Sequence, residues 1–245
     1  MKGFSPARRL HRTLSLALEK ETNWSAAQVF CTVFGADHST RADTYEIFAE
    51  LYRLVEQARR HVQANPDLNQ DLYRGPIEDV FRVLNSVQVD LPWQEFANQL
   101  SGAVMRSLEF CAEKMDELTD EAEISFDALA ELKKSVEELI DELVASTMDI
   151  SLRDALLLRL EEIRTVLQRY LLYGVDGLNQ ATENAIGTAV IKNPSTKSSP
   201  ETKGNFDRFV SYCKKVGEVT SAAKKLYDLI EPAIQKYLLG TSSNV

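Results

Sequence analysis

The sequence predicts an all-α protein, a bundle of roughly seven to nine helices with a long C-terminal helical segment. Apolar residues recur at three- and four-residue spacing along most of the 245-residue chain, and this is the period of an amphipathic helix. The chain contains only 10 glycines and 7 prolines, too few for the turns of a many-stranded β protein. Its 44% hydrophobic content is typical of a protein that buries a core.

Five helices are predicted in the first half of the chain. Ser5 and Pro6 form a cap followed by a proline at the first helical position, which opens the first helix. Turn-forming residues at 65–76 indicate a loop and a sub-boundary of the fold. The first three helices are expected at residues 5–20, 25–34 and 40–64. The fourth is expected to begin at Pro76, and the fifth is expected to run from Pro92 to Met115.

The second half begins with a helix that Ser125 caps and that carries a single apolar stripe. Residues 152–190 then predict a helical hairpin. Ser151 and Asp154 have the form of a capping box at its start. Gly174 and Gly177 place its turn at 175–177. We interpret this hairpin as core packing instead of a ligand site.

Residues 193–205 predict a linker, because they are polar, include two prolines and contain no large apolar side chain. The predicted organisation is therefore a helical body at 1–192, this linker, and a C-terminal helical segment at 206–245. Apolar positions on the last segment predict an interface with a second copy or another partner. The residues of that candidate interface are Phe209, Val216, Leu226 and Ile230.

The net charge of −9 is concentrated in residues 113–142, which hold 12 acids and 3 bases. Two interpretations of this acidic region are a solvated helix face and a docking surface for a partner with a basic surface. The acids of the candidate surface are Glu113, Asp116, Glu117, Asp120, Glu121, Glu123, Glu137, Glu138, Asp141 and Glu142.

Both ends of the chain are basic. Residues 1–18 contain no acid, and residues 192–236 hold 9 bases and 5 acids. Such ends suit phosphates or anionic lipid, but they also suit neutralisation of the chain's own acidic middle. We favour neutralisation, and the net negative charge argues against nucleic acid as a partner.

No pattern in the sequence indicates a catalytic, cofactor or metal site. Glycine-rich phosphate loops, zinc-binding pairs and the usual nucleophile motifs are absent. The three histidines lack the acidic neighbours of di-iron bundles. The three cysteines are far apart, which suggests small apolar side chains in a reducing compartment. No apolar run approaches the ~18–20 residues of a membrane span, and we expect a cytoplasmic protein.

Residues 170–178 follow the pattern Tyr-x-x-Tyr-Gly-x-x-Gly-Leu, and a polar break and a lysine-rich tail come after them. This arrangement resembles the C-terminal portions of uncharacterised all-helical bacterial proteins, some of them encoded near phage-defence genes. The resemblance covers only the C-terminal part of the chain. It implies a bacterial origin and an accessory or defence role.

The leading hypothesis is a non-enzymatic protein-interaction component of a bacterial assembly: an adaptor, regulator or inhibitor subunit. It requires no cofactor and predicts a protein partner or a second copy of the chain. A second hypothesis is a membrane-perturbing effector that acts through its amphipathic basic ends. A third is an enzyme whose site is assembled only in space.

Overall fold

The computed structural model describes residues 3–21, 23–192, 194 and 199–220. Within these residues the chain forms ten α-helices and no β-strand, which confirms the predicted all-α fold. The helices are α1 (Pro6–Leu18), α2 (Ala26–Val33), α3 (Arg41–Gln63), α4 (Gln70–Ser86), α5 (Gln94–Ala97), α6 (Gly102–Glu117), α7 (Phe126–Ala145), α8 (Ile150–Gln168), α9 (Tyr170–Ile191) and α10 (Pro200–Val219).

The chain divides into two compact units. Unit 1 contains Met1–Glu123 together with the short segment Leu171–Gly174, and unit 2 contains Ile124–Tyr170 and Val175–Val245. This division differs from the predicted body at 1–192, because α10 contacts α7 and so belongs with the helices that precede it. The predicted sub-boundary at 65–76 lies inside unit 1.

Helix α1 lies in the core of unit 1, where it contacts α3 and α6. Leu10 and Leu14 are fully buried on its inner face, and each such side chain stabilises the fold by about 1.5–3 kcal/mol relative to exposure. The indole nitrogen of Trp93 donates to the Ala17 carbonyl oxygen at 3.0 Å. Trp93 also meets the Phe30 ring edge-on, with 5.1 Å between centroids. The membrane-perturbing hypothesis would therefore require α1 to leave a packed core.

Helix α4 begins earlier than the sequence analysis predicts. The Asn69 side chain accepts from the Leu72 backbone N–H at 3.2 Å and so caps the helix. Pro76 lies inside α4 instead of at its start. A proline crowds the Cβ of the residue before it in a helix, and residue 75 is a glycine, which has no Cβ. Gly75 therefore lets the helix continue through Pro76.

Two other helix starts also differ from prediction. The helix expected from Pro92 to Met115 is two helices, because Ser101 caps a new one by accepting from the Val104 N–H. The capping box expected at Ser151 and Asp154 is wrong. Asp149 is the cap of α8, and it accepts from the Leu152 N–H at 3.1 Å.

The predicted hairpin at 152–190 is confirmed in unit 2, where α8 and the later part of α9 run antiparallel. Arg159 donates to the Thr188 hydroxyl at 3.0 Å, and Asn184 donates to Glu162 at 2.8 Å. Its turn is misplaced in the prediction, since the helix breaks at Arg169 and again at Gly174. Gly177 lies within helix α9.

The segment Leu171–Gly174 is fixed in unit 1 by a buried arginine. The Arg9 guanidinium donates to the Leu172 carbonyl oxygen at 2.7 Å and to Gln57 Oε1 at 3.1 Å. Gly174 has φ 66° and ψ −166°, a conformation that is essentially restricted to glycine. The backbone conformation therefore explains why the Tyr-x-x-Tyr-Gly pattern has a glycine at residue 174.

Helix α10 begins inside the predicted linker. Ser199 caps it by accepting from the Thr202 N–H at 3.1 Å, and Pro200 occupies the first helical position. The helix packs on α7, where the Tyr212 hydroxyl donates to the Leu132 carbonyl oxygen at 3.2 Å. No helix in the described parts of the chain is long and apolar enough to span a membrane.

Candidate functional site

A groove of about 550 Å³ lies between α4 and α6 in unit 1. We call it the α4–α6 groove. Its α4 wall includes residues at every fourth position, as one helix face requires, and on its α6 wall one residue precedes two others by three and four positions. The lining residues are Asp71, Leu72, Tyr73, Gly75, Pro76 and Asp79 from α4, and Ser107, Phe110 and Cys111 from α6.

Two large apolar side chains of the groove are exposed to solvent. Leu72 is 61% exposed and Phe110 is 68% exposed, although most leucines and phenylalanines of this size are buried in folded proteins. Phe110 lies off the buried stripe of α6, to which Leu108, Cys111 and Met115 belong. The groove therefore presents apolar surface that unit 1 itself does not cover.

Cys111 forms part of the floor of the groove and is only 1% exposed. Its Sγ donates to the Tyr73 carbonyl oxygen at 3.2 Å. Burial raises the pKa of the Cys111 thiol to about 12, so the side chain is a neutral thiol at physiological pH. Cys111 is therefore a structural contact between α4 and α6 and lacks the thiolate of a nucleophile.

We predict that Cys111 does not react with iodoacetamide in the folded protein. With a pKa of about 12, about one thiol in ten thousand is ionised at pH 8, and only the thiolate reacts. Mass spectrometry after alkylation should find all three cysteines labelled in denaturant and Cys111 unlabelled without it. Rapid labelling of Cys111 in the folded chain would contradict this description of the groove.

The polar groups of the groove lie mainly on its α4 wall. Asp71 is exposed, and Asp79 pairs with Arg82 at 2.9 Å. Pro76 has no N–H, so it cannot supply the helical hydrogen bond to the carbonyl oxygen of Leu72. The groove therefore combines an apolar surface with hydrogen-bond acceptors along one side.

Unit 1 contains six of the ten acids of the predicted acidic surface. Asp116 is buried, accepting from the Ser5 N–H and hydroxyl at 3.0 and 2.7 Å and from Arg8 Nε at 2.7 Å. Glu123 pairs with Arg12, and Glu117 pairs with Lys114 at 2.8 Å. The basic start of the chain thus neutralises part of the acidic region within the same unit. Glu113, Asp120 and Glu123 are exposed, and Glu121 is half-buried.

The other four acids of the predicted surface are exposed on α7 of unit 2. Glu137 pairs with Arg164 at 3.4 Å, and Glu142 pairs with Arg208 of α10. Glu138 is 3.7 Å from Lys134 on the same helix. The ten acids therefore belong to two separate units, and Asp116 is not at the surface. Recognition of a partner by the exposed ones stays a prediction.

The candidate C-terminal interface is placed only in part. Phe209 and Val216 are fully buried, on the helix that contacts α7. They are core residues of unit 2 and not the exposed partner surface that the sequence suggests, because α10 turns its apolar face inward. Leu226 and Ile230 lie outside the described residues.

His11 on α1 and His61 on α3 are both half-buried. Burial lowers the pKa of His61, and a backbone hydrogen bond at Leu118 and the nearby Asp116 oppose that shift. Ser5 is fully buried, and its hydroxyl donates to Asp116 instead of to a histidine. Ser5 also caps α1 by accepting from the Arg8 N–H at 3.2 Å, so its hydroxyl has a structural role. Among the described residues, no three histidine, cysteine or acidic side chains are placed to hold a metal ion.

No protein-family model, curated protein or solved structure matches this chain.

Sequence reasoning did not identify the α4–α6 groove. The stretch that supplies Leu72 is interpreted there as a loop, because residues 65–76 are rich in turn formers. The signal that could have found the groove is Phe110, a large apolar residue outside the regular stripe of its helix. Such an off-stripe aromatic residue indicates a binding surface more specifically than charge does.

Proposed function

We propose that this chain is a non-enzymatic protein-interaction component, an adaptor, regulator or inhibitor subunit, whose α4–α6 groove binds another protein. The observation that carries the proposal is the exposure of Leu72 and Phe110 on either side of a groove of about 550 Å³. Apolar patches bordering a concave surface are typical of binding sites. The bacterial assembly implied by the sequence resemblance is the setting in which we expect this partner.

The energetics of the two side chains support this assignment. Burying a leucine or phenylalanine fully is favourable by about 1.5–3 kcal/mol, and Leu72 and Phe110 forgo most of that in the free chain. Aromatic side chains at the centre of an interface often contribute most of its binding free energy. A partner that covers both side chains would therefore gain affinity from surface that is already preformed.

The chemistry of the lining supports binding over catalysis. The thiol of Cys111 is neutral and donates to a backbone carbonyl oxygen. The two lining carboxylates are on α4, and none of the three histidines lines the groove. A general acid or base near a nucleophile is what catalysis would need.

The test compares the wild-type chain with a Leu72→Ser/Phe110→Ser double variant. Both side chains are exposed, so we expect the fold to keep its stability within about 0.5 kcal/mol. Affinity-tagged chains are used to capture proteins from a lysate of the source cells, and quantitative mass spectrometry measures each captured protein. We expect a specific partner to be retained by the wild-type chain and reduced at least about tenfold by the double variant, a loss of about 1.4 kcal/mol.

The matched control is Phe126→Ser, which removes an aromatic side chain that is 83% exposed in unit 2. It should leave capture of that partner unchanged. Equal capture by all three chains, or no specific capture by the wild-type chain, would rule out the groove as the protein-binding surface.

A further inference from the structure

We infer that the α4–α6 groove selects a basic amphipathic helix. Such a helix carries two lysines or arginines that are about 12 Å apart, a distance of about two helical turns. An apolar stripe lies beside these two basic residues. This inference rests on the proposed function and specifies its partner. The feature that points to it is the α4 wall of the groove, on which Asp71 and Asp79 lie two turns apart.

The spacing of the wall residues follows from the helix itself. Asp71, Gly75 and Asp79 recur at every fourth position of α4, so they share one face. Eight residues of helix advance by about 12 Å. A Cβ built on Gly75 would meet no atom within 4 Å, so the space between the two carboxylates is open. A ligand can therefore lie between the Asp71 and Asp79 carboxylates, because no side chain at position 75 blocks it.

Both carboxylates are accessible to a cationic ligand. Asp71 is exposed. Asp79 pairs with Arg82, but the two side chains are 44% and 77% exposed, and exposed pairs of this kind contribute little stability. A basic residue of the ligand can replace Arg82 at small cost. Lys114 of α6 is a cation near Tyr73, and it is already paired with Glu117 at 2.8 Å.

The charge of unit 1 favours the same ligand. Its residues include 20 acids and 13 bases, a net charge of −7 out of the −9 of the whole chain. A surface of this sign attracts cations and repels acidic segments during association. The exposed apolar side chains Leu72 and Phe110 then require an apolar stripe beside the two basic residues of the ligand. An amphipathic helix laid in a groove supplies both features at once.

The experiment uses the full chain and three fluorescein-labelled synthetic peptides of about 18 residues, five helical turns, with one shared leucine stripe. The first peptide carries two lysines two turns apart, the second carries glutamates at those positions, and the third carries the same lysines next to each other. Fluorescence anisotropy titrations measure the three dissociation constants. We expect the first peptide to bind about tenfold more tightly than either of the others.

Two variants locate the effect. Asp71→Asn/Asp79→Asn should reduce the preference for the first peptide to about threefold or less, because neutral amides keep the size of the side chains and remove the charge. Leu72→Ser/Phe110→Ser should abolish binding of all three peptides. Similar affinity for the three peptides would overturn the inference. If partner capture still depends on Phe110 in that case, the proposed function stands without it.

A second copy of the chain is the competing occupant. Sedimentation velocity over a range of concentrations measures whether the chain forms dimers. A dimer that Phe110→Ser dissociates and that the first peptide displaces would assign the groove to self-association and overturn the inference. A monomer at all concentrations supports a separate partner.

Discussion

Replacing Gly174 by alanine is expected to destabilise unit 1 by about 3 kcal/mol or more. The backbone at this residue has φ 66° and ψ −166°, a region that side chains with a Cβ rarely enter. An added Cβ would also lie 2.7 Å from Glu121 Oε1 and 2.8 Å from Arg9 Cζ. Because Arg9 is buried and donates to Leu172 and Gln57, it cannot move aside without losing hydrogen bonds.

Urea unfolding followed by tryptophan fluorescence measures this effect, since Trp24 and Trp93 both belong to unit 1. The matched control is Gly187→Ala on the same helix α9, where a Cβ would meet no atom within 4 Å. Alanine there should stabilise the helix by about 1 kcal/mol, visible by circular dichroism. If Gly174→Ala unfolds at the same urea concentration as wild type, residue 174 does not have a positive-φ backbone conformation that excludes a Cβ.

The helices of this fold follow from sequence because their signals are local. The apolar period and the caps at Ser5 and Ser125 predict helix type and start correctly. The predictions are wrong where the structural effect of one residue depends on the residue next to it. Pro76 indicates a helix start, but Gly75 before it removes the steric conflict, and α4 continues through Pro76. Gly174 and Gly177 look equivalent in sequence, and only the first has a positive φ.

The candidate site was less predictable because exposure is a tertiary property. Phe110 and Leu108 are both apolar residues of α6, and only packing against α1 and α4 decides that Leu108 is buried and Phe110 is not. The exposure of charged residues is also decided by tertiary packing. Asp116 and Glu113 are indistinguishable as acids in an acidic stretch, but one is buried and the other is exposed. Burial therefore separates structural acids from those that a partner could reach.

A buried acid and an exposed acid of α6 should differ in how much they contribute to stability. Asp116→Ala should destabilise unit 1 by about 3 kcal/mol, because removing one member of a buried ion pair leaves the other charge without its partner. The carboxylate accepts from the Ser5 N–H, the Ser5 hydroxyl and Arg8, and its side chain is 8% exposed. Without this carboxylate, the start of α1 would lose its hydrogen bonds to α6. Tryptophan fluorescence in urea measures the change.

Glu113→Ala is the control on the same helix. Because Glu113 is exposed, this change should alter the free energy of unfolding by less than about 0.5 kcal/mol. If the two variants are equally stable, the hydrogen bonds at Asp116 contribute nothing to the stability of unit 1. If they differ as expected, charge reversal at Asp116 would weaken partner binding merely by unfolding unit 1. Exposed acids such as Glu113 and Asp120 are then the positions at which a loss of binding can be attributed to recognition.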